Sequence, residues 1–181
     1  VLETRYDPKG NVRPWDRCLY IKVVKGFMQE GDTITITFGE TSGGSQGVRL
    51  QTFCEETFEF RVLVDPIATA NYQALPDQPK IRIVPGKPTT WAAVVPTGRT
   101  PGETFELKIK GEDLWGNPSD QCDATFKVKS SRPVNGLPET VTLKPGAFAE
   151  IVEGLSVDGE GLVDIWFEDD GGAEVFRANP L

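Results

Sequence analysis

The residues that could do chemistry in this chain are carboxylates, amides and thiols, because its 181 residues include no histidine. Histidine is the commonest general base near neutral pH and the commonest metal ligand. Its absence excludes Ser-His-Asp and Cys-His catalytic arrangements and most transition-metal sites. Glycoside hydrolysis needs only two carboxylates, but nothing in the sequence selects a pair among its 27 Asp and Glu residues.

One group of side-chain oxygens has the short spacing typical of a calcium loop, namely Asp113, Asn117, Asp120 and Asp123. The glutamate that would close such a loop is missing, and Pro118 interrupts it. Asp and Asn beside Gly and Pro also favour turns, so we predict a turn here and, in residues 168–172 (EDDGG), an acidic hairpin tip. The sequence therefore predicts no catalytic residue, no metal ligand and no cofactor.

Residues 39–47 (GETSGGSQG) are rich enough in glycine to suggest a phosphate-binding loop. Such a loop needs the N-terminus of a helix and usually a lysine. Strand-like sequences flank this loop and it contains no lysine. We therefore predict a hairpin connection rather than a phosphate site.

The three cysteines, Cys18, Cys54 and Cys122, are widely spaced and form no Cys-x-x-Cys pair, which excludes a zinc ribbon. We expect three buried thiols in a reducing compartment, which favours the cytoplasm; a single disulfide is the alternative. The four tryptophans could instead form a platform on which sugars stack. Trp91 and Trp166 lie in apolar runs and are predicted to be core, whereas Trp15 and Trp115 lie in loops and are predicted to be exposed.

Charge and hydropathy narrow the classes of partner. The net charge is −8, and Lys and Arg are scattered without a basic stripe, so nucleic acid is excluded as a partner. No apolar run approaches the ~18 residues of a membrane span, so no membrane association is expected.

Alternating and β-branched runs, separated by many Gly and Pro residues, predict an all-β protein. In residues 32–38 (DTITITF) the Ile and Phe side chains share one face and the Thr side chains the other. Residues 85–88 (PGKP) cannot lie inside a central strand. We therefore predict two tandem immunoglobulin-like or β-sandwich modules, residues 1–86 and 87–181, each with its own core.

Three segments resemble a known family: residues 31–39 (GDTITITFG), 43–53 (GGSQGVRLQTF) and 58–65 (FEFRVLVD). With residues 101–103 (PGE) and 113–118 (DLWGNP), they are similar to the N-terminal region of a family of large, mostly bacterial proteins of unknown function. The C-terminal part of those proteins resembles PHP-type (polymerase and histidinol phosphatase) metal-dependent hydrolases.

The resemblance implies an accessory region. In such proteins a segment like residues 177–180 (RANP) leads into a motif containing Gly-Asp-x-His, whose histidine begins the metal site. This sequence stops at Leu181 and starts without Met, so we interpret it as a fragment or processed form. No residue here inherits the hydrolase chemistry, and the implied partner is a C-terminal catalytic domain of the same polypeptide.

Two hypotheses about function follow. The first is a non-catalytic region that packs beside a hydrolase domain and shapes access to it, with a docking surface at Trp166, Phe176 and Arg177 on a terminal hairpin, from which residues 178–180 lead away in an extended path. The second is a free-standing module that binds a glycan or a protein through loops carrying Trp15 and Trp115. An undetected carboxylate hydrolase is a third, weaker hypothesis.

Overall fold

The computed structural model describes all of residues 1–181 and contains thirteen β-strands and no helix, which confirms the all-β class. It therefore has no helix long and apolar enough to cross a membrane. The chain divides into two compact units. One comprises Val1–Gln51 and Glu56–Arg82, and the other comprises Thr52–Glu55 and Ile83–Leu181. The domain boundary between residues 86 and 87 stays a prediction.

Six short strands lie in residues 1–83: β1 (Leu2–Asp7), β2 (Cys18–Val23), β3 (Glu55–Glu59), β4 (Leu63–Val64), β5 (Gln73–Ala74) and β6 (Lys80–Ile83). They form three two-stranded ribbons, β1–β2, β3–β6 and β4–β5. Because β4 and β5 lie between β3 and β6 in sequence, the last two ribbons make one long hairpin. Between the two ribbons, the Gln78 side chain takes the place of a backbone partner for Val62. Val62 N–H donates to Gln78 Oε1 at 2.6 Å, and Gln78 Nε2 donates to the Val62 carbonyl at 3.2 Å.

The N-terminal unit differs from the sequence expectation in two ways. Residues 32–38 and 48–53, the strand-like sequences that flank the glycine-rich loop at residues 39–47, do not form strands. The hairpin predicted around residues 39–47 is therefore not formed, since a strand needs a hydrogen-bonded neighbour as well as the right side chains. In addition, no side chain of residues 1–82 is buried, so a second sandwich core in this half stays a prediction.

Seven strands make up the C-terminal unit: β7 (Thr90–Val94), β8 (Phe105–Glu112), β9 (Ala124–Ser130), β10 (Thr140–Leu143), β11 (Glu150–Leu155), β12 (Ile165–Glu168) and β13 (Glu174–Arg177). All seven lie in the alternating or β-branched runs from which the sequence predicts an all-β fold. They form a three-stranded sheet, β11-β8-β7, and a four-stranded sheet, β10-β9-β12-β13. Seven antiparallel strands divided in this way form an immunoglobulin-like sandwich.

The core of the sandwich follows from strict alternation along the strands. In β8, Phe105, Leu107 and Ile109 are buried while the residues between them face outward. They join inward side chains of β9, β10 and β12 in a single buried cluster. Full burial of a Leu, Ile or Phe side chain stabilises a fold by about 1.5–3 kcal/mol, so this cluster supplies the main stabilisation of the unit.

The end of the chain is part of the sandwich. Ala178 N–H donates to the Ile165 carbonyl, and Leu181 and Val163 exchange two backbone hydrogen bonds of 3.1 Å. Asn179 holds Val95 through its side-chain amide. Residues 178–181 therefore run along β12, where their backbone groups have hydrogen-bond partners, which corrects the expectation that residues 178–180 lead away from the terminal hairpin.

Candidate functional site

The side chains that could hold a metal ion do not converge: no group of three or more His, Cys, Asp or Glu residues has a suitable arrangement. The oxygens of the turn at residues 113–118 are used differently. Asp113 Oδ1 accepts hydrogen bonds from the backbone N–H groups of Trp115 (2.8 Å) and Asn117 (3.0 Å). Its Oδ2 accepts from Gly86 N–H at 3.1 Å, and Asn117 Nδ2 contacts both oxygens.

These donors set the ionisation of Asp113. Burial opposes the charged form, but the hydrogen bonds from Asn117, Gly86 and Trp115 outweigh it and lower the pKa of this carboxyl to about 2. A carboxylate surrounded by N–H donors is a poor cation ligand. The residues therefore build a rigid turn, as the sequence predicts for this segment.

The turn joins distant parts of the C-terminal unit. Asn117 Nδ2 donates to the Thr52 carbonyl at 2.8 Å, and its Oδ1 accepts from Cys54 N–H at 3.1 Å. Ser119, which follows the turn and is buried, donates its hydroxyl to the Gly86 carbonyl at 2.7 Å. Gln121 donates to the Pro85 carbonyl at 2.8 Å. Two segments that lack a strand partner are thus fixed by amide and hydroxyl side chains.

The same turn presents apolar side chains at its tip. Leu114 is 73% exposed and Trp115 is 55% exposed, in line with the sequence expectation for Trp115. Trp15, predicted to be exposed, is half-buried, and the guanidinium of Arg61 lies 4.8 Å from the centre of its ring. Trp15 belongs to the N-terminal unit and Trp115 to the C-terminal unit.

The predicted docking residues of the terminal hairpin lie on two faces. Trp166 and Arg177 are cross-strand neighbours on the outer face of β12 and β13, where Trp166 Nε1 donates to Glu168 and Arg177 pairs with Glu174 at 2.7 Å. Phe176 faces the core instead. Its ring stacks on Phe167, with ring centres 4.3 Å apart and planes 4° apart.

Phe176 thus belongs to an aromatic cluster in the core. Its ring meets Phe126 edge-on at 5.0 Å and lies 6.4 Å from Trp91. Two exposed apolar residues near the hairpin, Leu162 and Val175, were not predicted as part of a docking surface. The alternation along β13 could have indicated Val175, since it precedes an inward-facing Phe.

An open groove of about 670 Å³ lies beside the three-stranded sheet β11-β8-β7. It is lined by Val94, Pro96, Arg99, Phe105, Lys108 and Glu153 among others. Its two cations already have partners: Arg99 lies 3.8 Å from Glu103, and Lys108 lies 3.0 Å from Glu106. The groove therefore offers no unpaired cation with which to recognise an anionic ligand.

The N-terminal unit exposes a run of apolar side chains between residues 27 and 38. Phe27, which is 78% exposed, and Met28, Ile34, Ile36 and Phe38 are all open to solvent. Residues 33–38, which we call the unpaired segment, make no hydrogen bond through backbone or side chain. Only Phe38 is held, by packing of its ring on Phe60 at 4.6 Å. The unpaired segment thus has the side-chain alternation of a β-strand but no strand beside it.

Comparison with protein-family models, with curated protein sequences and with solved structures finds no match to this chain.

Proposed function

We propose that residues 1–181 form a non-catalytic accessory region of a larger protein, which packs beside a metal-dependent hydrolase domain and shapes access to it. The hydrolase is suggested by the resemblance of residues 31–65 to the N-terminal region of such proteins. The docking role is supported by one observation above all. The N-terminal unit exposes the apolar side chains of residues 27–38 and buries none of its own.

Exposed apolar surface of this kind is costly for an isolated soluble protein. Scattered single apolar residues on a surface are normal, whereas contiguous patches mark interaction sites. Phe27, Met28, Ile34, Ile36 and Phe38 fall within twelve residues of sequence, and the chain between them contains no strand pairing. A neighbouring domain that covers these side chains would remove them from water and stabilise both partners.

The first test is the reading frame beyond codon 181. We expect a domain that contains several histidines to begin within tens of residues. The second test compares the full-length protein with a variant that lacks residues 1–181, by thermal unfolding and by Mn²⁺-dependent hydrolysis of p-nitrophenyl phosphate. Deletion should lower the unfolding temperature of the remaining domain and alter KM. A stop codon at this position, or unchanged stability and kinetics, would refute the accessory role.

Matched substitutions within the unpaired segment sharpen this test. In the full-length protein, Ile36→Asp places a charge among the apolar side chains, whereas Thr35→Asp places the same charge among the threonines. We expect only Ile36→Asp to reproduce the effect of deletion, because a desolvated carboxylate at a docked apolar face is strongly unfavourable. Equal effects of the two substitutions would contradict docking through this face.

A second function, recognition of a ligand through loops, is favoured by the geometry of the turn at residues 113–118. Five hydrogen bonds to Asp113 hold this turn rigid while Leu114 and Trp115 protrude. A preorganised aromatic tip lowers the entropy cost of binding. Glycan-array screening of the wild-type chain and of Trp115→Ala tests this alternative, and a glycan that binds only the wild-type chain would support it.

A further inference from the structure

We infer that the unpaired segment, residues 33–38, receives a β-strand from the domain that this region packs against, and that this strand carries alternating apolar side chains between basic flanks. The inference rests on the proposed accessory function and specifies the chemistry of the partner. It requires free backbone groups, a strand-forming sequence, a fixed position and charge complementarity.

The backbone groups are free. The nearest backbone hydrogen bonds on the two sides are Asp32 N–H to the Gln29 carbonyl and Gly44 N–H to the Thr41 carbonyl, both of 3.0 Å. Between them, residues 33–38 use none of their N–H or C=O groups. An incoming strand would find unused donors and acceptors along residues 33–37, before the turn at Phe38 and Gly39, and pairing with such groups is how β-augmentation gains affinity.

The sequence is that of a strand. Five of the six residues of TITITF are β-branched, and the sixth is aromatic. Free edges of natural sheets are normally protected by Lys, Pro or a bulge. This segment contains no Lys, Pro or Gly, so nothing in it blocks pairing.

The segment is fixed at its C-terminal end. The rings of Phe38 and Phe60 lie 4.6 Å apart, and Phe58 meets Phe60 edge-on at 5.2 Å. Phe60 itself donates its N–H to the Pro79 carbonyl within the long hairpin. This attachment places the segment beside an ordered ribbon and lowers the entropy lost when a partner strand pairs with it.

The charges beside the unpaired segment favour a partner strand with basic ends. The segment is bracketed by Glu30, Asp32 and Glu40, and no Lys or Arg occurs between Lys25 and Arg49. The hydrogen bond from Ser42 N–H lowers the pKa of Glu40, so this carboxyl is ionised at neutral pH. A partner strand with Lys or Arg at its two ends would therefore find carboxylates at both ends of the segment.

The same charges disfavour a second copy of this chain. An antiparallel self-pair centred on Thr35 places Glu30 opposite Glu40, and one centred on Ile36 places Asp32 opposite Glu40. Like charges directly opposite each other destabilise a strand pair. The net charge of −8 adds repulsion between copies.

Two short peptides test the inference on the 181-residue chain. Both have a core of alternating Val and Thr, one between Lys-Lys flanks and the other between Glu-Glu flanks. At low ionic strength we expect the Lys-flanked peptide to bind about tenfold more tightly by fluorescence anisotropy. We also expect it to slow amide hydrogen exchange of residues 33–38. Equal binding of the two peptides, or slow exchange without any peptide, would overturn the inference.

Variants localise the effect. Thr35→Pro removes one N–H from the segment and should abolish peptide binding, whereas Thr35→Ala keeps that N–H and should bind as the wild type does. Glu30→Lys, which leaves the backbone intact, should weaken binding of the Lys-flanked peptide. If the wild-type chain dimerises and Thr35→Pro abolishes the dimer, a second copy of this chain pairs with the segment, and the inference is refuted.

The outcomes are separable from those of the deletion experiment. If the peptide does not bind but deletion still destabilises the hydrolase domain, strand pairing is refuted and the accessory function stands. If the peptide binds but deletion has no effect, the hydrolase domain is not the partner, and the inferred source of the strand is refuted.

Discussion

The side-chain amide of Asn179 is paired with both backbone groups of Val95: Val95 N–H donates to Asn179 Oδ1 at 3.0 Å, and Asn179 Nδ2 donates to the Val95 carbonyl at 2.9 Å. Val95 is only 3% exposed, so water does not replace these bonds easily. Gln78 holds Val62 in the same way, and Asn117 holds the backbone of Thr52 and Cys54. Amide side chains thus complete the backbone pairing where strands end.

Removal of the Asn179 amide should destabilise the sandwich. Asn179→Ala leaves the N–H and C=O of Val95 without partners, and each buried unsatisfied group costs about 1–3 kcal/mol. We expect the free energy of unfolding to fall by at least about 2 kcal/mol, the minimum for two such groups, measured by urea denaturation with tryptophan fluorescence. Asn71→Ala is the control, since Asn71 is exposed and makes no hydrogen bond. Equal stability of the two variants would show that the amide pairing contributes nothing.

Acid should weaken the turn at residues 113–118. The pKa of Asp113 is about 2 in the folded chain against an ordinary value of 3.8, so its ionised form is favoured by folding. That stabilisation is complete above pH ~4 and is lost as the pH falls through about 2. Urea midpoints measured between neutral pH and pH ~2 should therefore fall more steeply for the wild type than for Asp113→Asn.

At neutral pH, Asp113→Asn should itself be less stable than the wild type, because its amide turns a donor toward the N–H groups of Trp115, Asn117 or Gly86. Asp123→Asn serves as the control for loss of one charge, since Asp123 is exposed and makes no hydrogen bond. A wild-type pH profile that matches that of Asp113→Asn would refute the role of this carboxylate.

The absence of a side chain at Gly111 should be essential for packing in β8. A Cβ atom at this position would lie 2.6 Å from Cys122 Sγ, 2.9 Å from Pro88 Cβ and 3.0 Å from Trp91 Cζ3. Such overpacking typically costs about 1–3 kcal/mol. We expect Gly111→Ala to lower the unfolding free energy by that amount, and a second change, Cys122→Ala, to recover part of the loss. Gly98→Ala, where nothing lies within 4 Å, should be neutral.

Thiol reactivity should separate the three cysteines. None forms a disulfide, but only Cys122 is buried, which corrects the expectation of three buried thiols. Burial raises the pKa of Cys122, so its thiolate is scarce. We expect titration with an aromatic disulfide reagent to find three thiols in unfolded, unreduced protein, with Cys122 reacting slowest in folded protein. Loss of the slow phase in Cys122→Ala would assign it, and finding a single thiol would indicate a disulfide.

The sequence by itself determined the strands of the C-terminal sandwich. In β8 and β10, alternation of apolar and polar side chains matches the alternation of buried and outward-facing positions. Turns rich in Gly and Pro mark the ends of such strands. These signals are local, because one face of each strand must reach the core whatever its neighbours are. The same local chemistry predicted the turn at residues 113–118.

Pairing and orientation were decided by the tertiary structure alone. Residues 32–38 have as clear a pattern as β8, yet they form no strand, because a strand also needs a neighbour and these 181 residues provide none. Residues 166, 176 and 177 were grouped by sequence, but cross-strand register puts Phe176 in the core and its two companions outside. The partner of Asn117 lies 65 residues away. Contacts over such separations depend on how the sheets pack, which side-chain periodicity does not encode.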